Sequence, residues 1–355
     1  MGSDSPELSF LSLHAIISFF VFLIIQKKSN KLFNGALLDN DFSKPQAFHE
    51  YPIARSGGFA SIIVLINFFI LYFFLFEKFF FDYLVVCSFL FILGFIDDLK
   101  IKIDPNIRLL VMIIVLVSSI LLFSINIERI DFIFLNKWLQ NDFFKIFFVL
   151  CCLLFIINGA NLIDGYNGLL GLHLIIINII LTFVNLENQH FEMVYLLGGQ
   201  IIILITFVLY NFPFAKIFFG DSGSYVFGAL TALNVIKTNN LNPEISSFFF
   251  CILLFYLFFE VFFSFFRKII FRRSPLRPDS GHLHMLIYKK ITKFKTKEQS
   301  NYLTSVIINL SFLLSVLPSL FFKGNSSVCI SLFFLLLFAY TLVYYKFYKT
   351  SFNDF

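Results

Sequence analysis

Two adjacent aspartates, Asp97 and Asp98, stand at the end of an apolar run in GFIDDLK, residues 94–100, with Lys100 and Lys102 nearby. Neighbouring carboxylates repel, so one is driven towards its protonated form unless a cation compensates. Such a pair suits metal binding or proton handling at phosphate; solvated charges capping a membrane helix would read the same way. The stretch NGANLIDGYNGL, residues 158–169, offers Asn158, Asn161, Asp164 and Asn167 and contains no Lys or Arg. Asn161 and Asp164, three apart, share one face of a helical turn, and an uncompensated polar loop between apolar segments is hard to explain as packing. In NFPFAKIFFGDSGS, residues 211–224, Asp221 and Ser224 follow Gly220 where a helix would open. Backbone N–H groups, hydroxyls and one carboxylate suit a phosphate with its metal; an ordinary N-cap is the plainer reading.

Three weaker features accompany these. RRSPLRPDSGHLHMLIYKK carries Arg272, Arg273, Arg277, Asp279, His282 and His284. Histidines at i and i+2 behind arginines can grip a diphosphate, for which guanidinium offers planar paired contacts. As a zinc site the motif lacks further ligands at suitable spacing. HEYPIARSGG, residues 49–58, implies a fixed turn with Arg55 near the headgroup level. Glu260 is an acid inside an apolar run, placed either to pair with Arg267 or to line a site. His14 and His173 read as packing residues, and the five scattered cysteines as neither disulfide framework nor zinc site.

The surrounding chain dictates the solvent. It is 59% hydrophobic and 14% charged, with 56 Phe, whereas a soluble domain is about a quarter charged. Apolar runs near the roughly 20 residues that cross a bilayer lie at 8–25, 57–76, 79–96, 107–125, 143–160, 168–184, 193–210, 222–237, 245–266, 302–322 and 328–345. The sixth and eighth are the weakest. If the segments after odd-numbered spans face the cytoplasm, they hold 21 of the 27 basic residues, the bias expected of inside loops. The expected fold is therefore all-α: a polytopic integral membrane protein of ten to eleven transmembrane helices. It has its N-terminus outside, its C-terminus in the cytoplasm and its chemistry in cytoplasmic loops. Residues 1–355 form one domain, with 267–301 a large basic loop within it. The net charge of +5 favours anionic lipid headgroups and gives no reason to invoke nucleic acid. No Walker loop, GxGxxG unit, GxSxG elbow or HExxH occurs, so ATP-driven transport, dinucleotide chemistry and serine hydrolysis lack support.

HEYPIARSGG, GFIDD, NLIDGYNGL, GDSGS and RPDSGHLH, in that order, resemble the polyprenyl-phosphate sugar-1-phosphate transferases, the MraY/WecA-like membrane enzymes. The resemblance implies that Asp97 and Asp98 lie near the carrier phosphate. Asn161, Asp164 and Asn167 belong to the nucleotide and substrate segment, and Asn211 and Phe218 hold the uridine, Phe218 by stacking. Asp221 ligates magnesium, with manganese as a substitute. His282 and His284 fill the first and third positions of the histidine motif of the WecA-like branch. Arg55, Ser224 and Arg277 join the substrate contacts, Arg277 steadying the diphosphate with the histidines. Three positions depart from the pattern: Met285 where a further His is frequent, Phe214 for a second Pro, and Asn167 for Asp, which removes a carboxylate.

The implied reaction transfers a sugar-1-phosphate from a UDP-sugar to polyprenyl (undecaprenyl) phosphate in a bacterial inner membrane. It releases UMP and starts a lipid-linked cell-surface glycan of the lipopolysaccharide O-antigen kind. HLHM after RPDSG, in place of a contiguous HHH run, favours an N-acetylhexosamine donor over the phospho-MurNAc-pentapeptide of peptidoglycan synthesis. A homodimer is compatible with the resemblance. A secondary transporter is the alternative from another class, but such proteins place coupling acids near the midplane within internal repeats. Here the acids gather at one face.

Overall fold

The computed structural model describes residues 6–40, 51–272, 274 and 280–352. A helix covers each of the eleven expected spans. They are α1 (Pro6–Lys28), α2 (Gly57–Phe76), α3 (Phe81–Asp98), α4 (Pro105–Phe123), α6 (Asp142–Ile163), α7 (Leu169–Glu187), α8 (Phe191–Asn211), α9 (Gly220–Leu241), the pair α10 (Ser247–Leu253) and α11 (Phe255–Ile270), α13 (Lys297–Phe321) and α14 (Ser326–Phe352). Two short helices lie outside the spans, α5 (Ile133–Trp138) and α12 (Leu283–Ile291). A two-stranded ribbon pairs Leu38 with Ala54 and Asp39 with Ile53, so the all-α expectation gains one small β element. The ninth expected span is two helices bent by 74°.

Local chemistry explains several ends. Asp104 accepts from Asn106 N–H at 2.8 Å ahead of Pro105, an N-cap with proline in the first turn. Asn141 caps α6 through Phe144 N–H, and Thr296 caps α13 through Gln299 N–H.

The chain is a multi-pass membrane protein. Large apolar side chains stand fully outward, Phe74, Leu122, Phe143 and Phe321 among them, and only lipid solvates such a surface cheaply. Among the described residues, eight helices are each long and apolar enough to cross alone, and nine spans result if the bent pair counts as one. The difference from eleven has a physical reason. Helix α3 carries Asp82, Asp97 and Asp98, and α9 is rich in small and polar residues.

Helix α9 is instead the axis of the bundle, with 18 of its 22 residues buried. It packs mainly against α2, α3, α6 and α7, and also touches α8 and α10. Small residues permit that closeness: a Cβ added at Gly228 would stand 2.8 Å from Ile157 Cα, and one at Gly58 2.4 Å from Gly223 N. Its interior polar groups find partners across helices. Asn234 donates to Gln200 at 2.7 Å, and Asn185 to Thr238 at 2.9 Å. The packing histidines behave similarly, with His14 against Gly199 O at 3.2 Å and His173 against Asn309 at 3.1 Å. The cysteines are all free.

Candidate active site

The C-terminal end of α3 and the N-terminal end of α9 meet at one end of the bundle, and the meeting is built by Asp98. Its carboxylate accepts from Asp221 N–H (2.9 Å), Ser222 N–H (3.0 Å) and Ser222 Oγ (2.6 Å). These are the unsatisfied donors of a helix start, which favour negative charge. Gly220 turns into the helix with φ +75°, and a Cβ there would lie 2.5 Å from Asp98 Oδ1. Glycine therefore answers both the left-handed backbone and the close carboxylate.

Around that joint the other polar groups collect. Arg108, one turn into α4, places Nη1 3.1 Å from Asp97 Oδ2 and 3.1 Å from Asp221 Oδ2. From the last turn of α6, Asn161 Nδ2 donates to Asp221 Oδ1 (3.1 Å) and Ser224 Oγ (3.0 Å). Arg55 sits where the ribbon enters α2. It donates to Asp39 Oδ2 from Nε at 3.0 Å and Nη2 at 2.7 Å, and its Nη1 lies 3.9 Å from Asp98. Backbone bonds tie this entry to the α9 turn, from Phe218 N–H to Ala54 O and from Gly57 N–H to Phe218 O, both 2.9 Å.

Beyond the 79–96 span, burial pushes Asp97 up to about 6, reinforced by Asp221 and opposed by Arg108 and Arg55. Burial and Asp221 likewise push Asp98 up, against its Ser222 bonds and Arg55. Asp164, just past α6, is raised well above the carboxylate range by burial and by Asp221 and Asp98. Four carboxylates thus face two guanidinium groups, one of them already engaged by Asp39.

That excess is the observation against which a divalent cation can be tested. Among the described residues, no three or more His, Cys, Asp or Glu side chains are placed to hold a metal ion. Magnesium commonly takes one or two protein carboxylates and completes its shell with water and substrate phosphate. Asp97 and Asp221 each lie 3.1 Å from the same Arg108 nitrogen, and they form such a donor pair.

Other expected residues occupy different surroundings. Asn211 is buried with both amide ends used, accepting from Gly168 N–H at 2.6 Å and donating to Ile217 O at 2.9 Å. Asn167 donates to Pro213 O and its N–H meets Asn301, bracing the same turn. Phe218 is half-buried beside the α9 turn. His282 and His284 form a second cluster, their rings parallel within 3° and 5.4 Å apart. The Tyr166 ring, two residues past Asp164, meets His284 edge-on at 5.6 Å and so joins the two clusters. Burial lowers His284 to about 3, so this imidazole stays neutral. Glu260 takes His282, not Arg267, as its partner (3.1 Å): residues 281–283 lie against α11, which the seven-residue spacing to Arg267 does not reveal. Arg277 lies outside the described residues.

Arg108 belongs to the basic residues expected on the cytoplasmic side, and the sequence does not otherwise single it out. Its signal was faint, a lone arginine one turn inside an apolar helix that begins with Asp-Pro.

Residues 80–239 match the family model described as glycosyl transferase family 4. The matched segment is just under half of the chain. It contains Asp97, Asp98, Arg108, Asn161, Asp164 and Asp221, while Arg55 and the histidines lie outside it. The chain is 30% identical over 210 residues to an undecaprenyl-phosphate alpha-N-acetylglucosaminyl 1-phosphate transferase of Thermotoga maritima, covering 58% of this chain and 61% of the relative. It is 30% identical over 148 residues to a phospho-N-acetylmuramoyl-pentapeptide-transferase of Streptococcus pyogenes serotype M12, covering 40% and 44%. A protein of the same description from Streptococcus sanguinis is 33% identical over 93 residues, covering 26% and 28%. The chain therefore spans about three fifths of the first relative and under half of the others.

Proposed function

We propose that the chain transfers an N-acetylhexosamine-1-phosphate from a UDP-sugar to polyprenyl phosphate in a bacterial inner membrane, with the carboxylate end of the bundle cytoplasmic. The observation that carries this is the convergence of Asp97, Arg108, Asp221 and Asn161 from four segments into one chain of hydrogen bonds. The family-4 segment and its two kinds of relative support the reaction class. The longer match, to the N-acetylglucosaminyl transferase, together with HLHM after RPDSG, supports the donor.

In this reading the carrier phosphate attacks the sugar-linked phosphorus in line. A new P–O bond forms, the phosphoanhydride breaks, and UMP departs with the bonding pair. Magnesium held by Asp97 and Asp221 would supply charge neutralisation at the diphosphate. Arg108 and Arg55 hold the anionic groups close, and Asn161 fixes the Asp221 carboxylate. Asp98, saturated by three donors, holds the α9 turn. Asp97 is left facing the carrier phosphate. Because a phosphate has a second pKa of about 6, that nucleophile needs positioning more than deprotonation. His282 and His284 approach the diphosphate from the far side of Tyr166.

Purified protein supplied with polyprenyl phosphate, magnesium and a panel of UDP-sugars should release UMP with UDP-N-acetylglucosamine or a related UDP-N-acetylhexosamine. Release only with UDP-MurNAc-pentapeptide would reassign the donor. No release with any donor, combined with solute uptake by vesicles, would turn the reading to transport.

A further inference from the structure

Residues 281–283, which carry the first histidine into α12, are pinned from two membrane helices. On α11, Glu260 is 1% exposed. Its carboxylate accepts from His282 Nδ1 (3.1 Å), Leu283 N–H (3.0 Å) and Tyr340 O–H of α14 (2.8 Å). One turn further along α14, Tyr344 O–H donates to Gly281 O at 3.0 Å, and Arg267 Nη1 of α11 reaches the same carbonyl at 2.7 Å. Side chains at i and i+4 of α14 and at i and i+7 of α11 thus present one face each to three consecutive residues.

A carboxylate buried beside lipid is costly and is retained where it has work to do. Three donors converge on Glu260, compensating its burial and fixing the carboxylate in one orientation. A carboxylate at Nδ1 fixes the imidazole tautomer and ring plane. The parallel stack with His284, itself held at Nδ1 by Tyr256 O–H at 3.1 Å, removes the remaining rotational freedom.

We infer that Glu260 and Tyr340 are positioning residues for the transfer reaction, acting through His282, and that α14 serves as the strut holding the histidine turn against the substrate. This rests on the transferase reading, in which His282 meets the diphosphate. Neither residue touches substrate. Their effect belongs to the orientation of one ring and should appear in kcat, while KM for the UDP-sugar changes little.

The test uses the full chain in detergent with UDP-N-acetylglucosamine, polyprenyl phosphate and magnesium, comparing wild type, Glu260→Gln, Tyr340→Phe, His282→Ala and the two doubles with His282→Ala. Glu260→Gln should lower kcat roughly 10- to 100-fold, the range found when a histidine loses its orienting partner. Tyr340→Phe should lower it about threefold, since one of three hydrogen bonds is lost. In the His282→Ala background neither change should cost anything more, because residues that act as a unit are non-additive. Wild-type kcat in Glu260→Gln overturns the inference, and so does a full additional loss on top of His282→Ala. If Glu260→Gln cannot be recovered folded, the Tyr340→Phe pair carries the same comparison. An inactive wild type sinks the transferase reading and this inference with it, whereas an active wild type with an indifferent Glu260 removes the inference alone.

Discussion

The carboxylate cluster at the α3–α9 joint and the histidine cluster under α14 solve opposite problems with similar side chains. At the joint, Asp97, Asp98, Asp164 and Asp221 outnumber the two arginines among them, and Arg108 divides one nitrogen between Asp97 and Asp221. Under α14, one carboxylate meets three donors, and the charge is matched locally. The first arrangement carries more carboxylates than cations, an excess that a bound cation would offset. In the second, the carboxylate is satisfied by the protein's own donors. An under-compensated cluster marks where chemistry happens, and a saturated one marks what holds it still.

The contrast can be broken at its strongest point by Asp221→Asn, which removes a carboxylate from the deficient side. Magnesium-dependent UMP release should fall about 10³-fold, the scale of losing a preorganised electrostatic group; substantial retained turnover would take Asp221 out of the metal role. Acid should act in the same direction. Asp97, raised to about 6, gains a proton as pH falls through that window. Protons compete with a metal for carboxylates. The magnesium concentration giving half-maximal turnover should therefore be several-fold higher at pH 6 than at pH 8, and a flat profile would mean that Asp97 does not bind it. Arg108→Gln should cost about tenfold in turnover, because both Asp97 and Asp221 lose their bridging cation. The smallest effect belongs to the saturated side. Tyr256→Phe deletes the hydroxyl at His284 and should lower stability in detergent by about 1 kcal/mol, leaving the magnesium dependence unchanged.

Most of the scaffold was legible because lipid imposes a blunt rule, an apolar run of fixed length. The expected second span, 57–76, matches α2 at both ends. The acids were legible for the converse reason, since charge beside such runs is costly. What the sequence hid were relations between distant segments. The 74° bend between α10 and α11 falls in FCILLF, where neither Pro nor Gly announces it. Arg108 reads as one of many loop cations until α4 is set beside α9. Glu260 reads as a partner for the nearby Arg267 or as a site-lining acid, and only the return of the histidine turn over α11 gives it His282. Asp97 and Asp98 look interchangeable in GFIDDLK, yet helix geometry turns one onto the α9 start and the other towards Arg108.

The central helix carries a consequence for biogenesis. Asn234, Lys237, Asn239 and the acid-bearing turn at Asp221 make α9 a poor passenger for the translocation machinery, which releases segments sideways according to how well they dissolve in lipid. The helices it packs against most, α2, α3, α6 and α7, all precede it in the chain, so they are in the membrane when it emerges from the ribosome. They offer it a protein-lined slot instead of hydrocarbon. Assembly of the acid cluster is then the last event of a nascent chain's insertion up to that point, and the helix least suited to the bilayer arrives only once its protein-lined slot is ready.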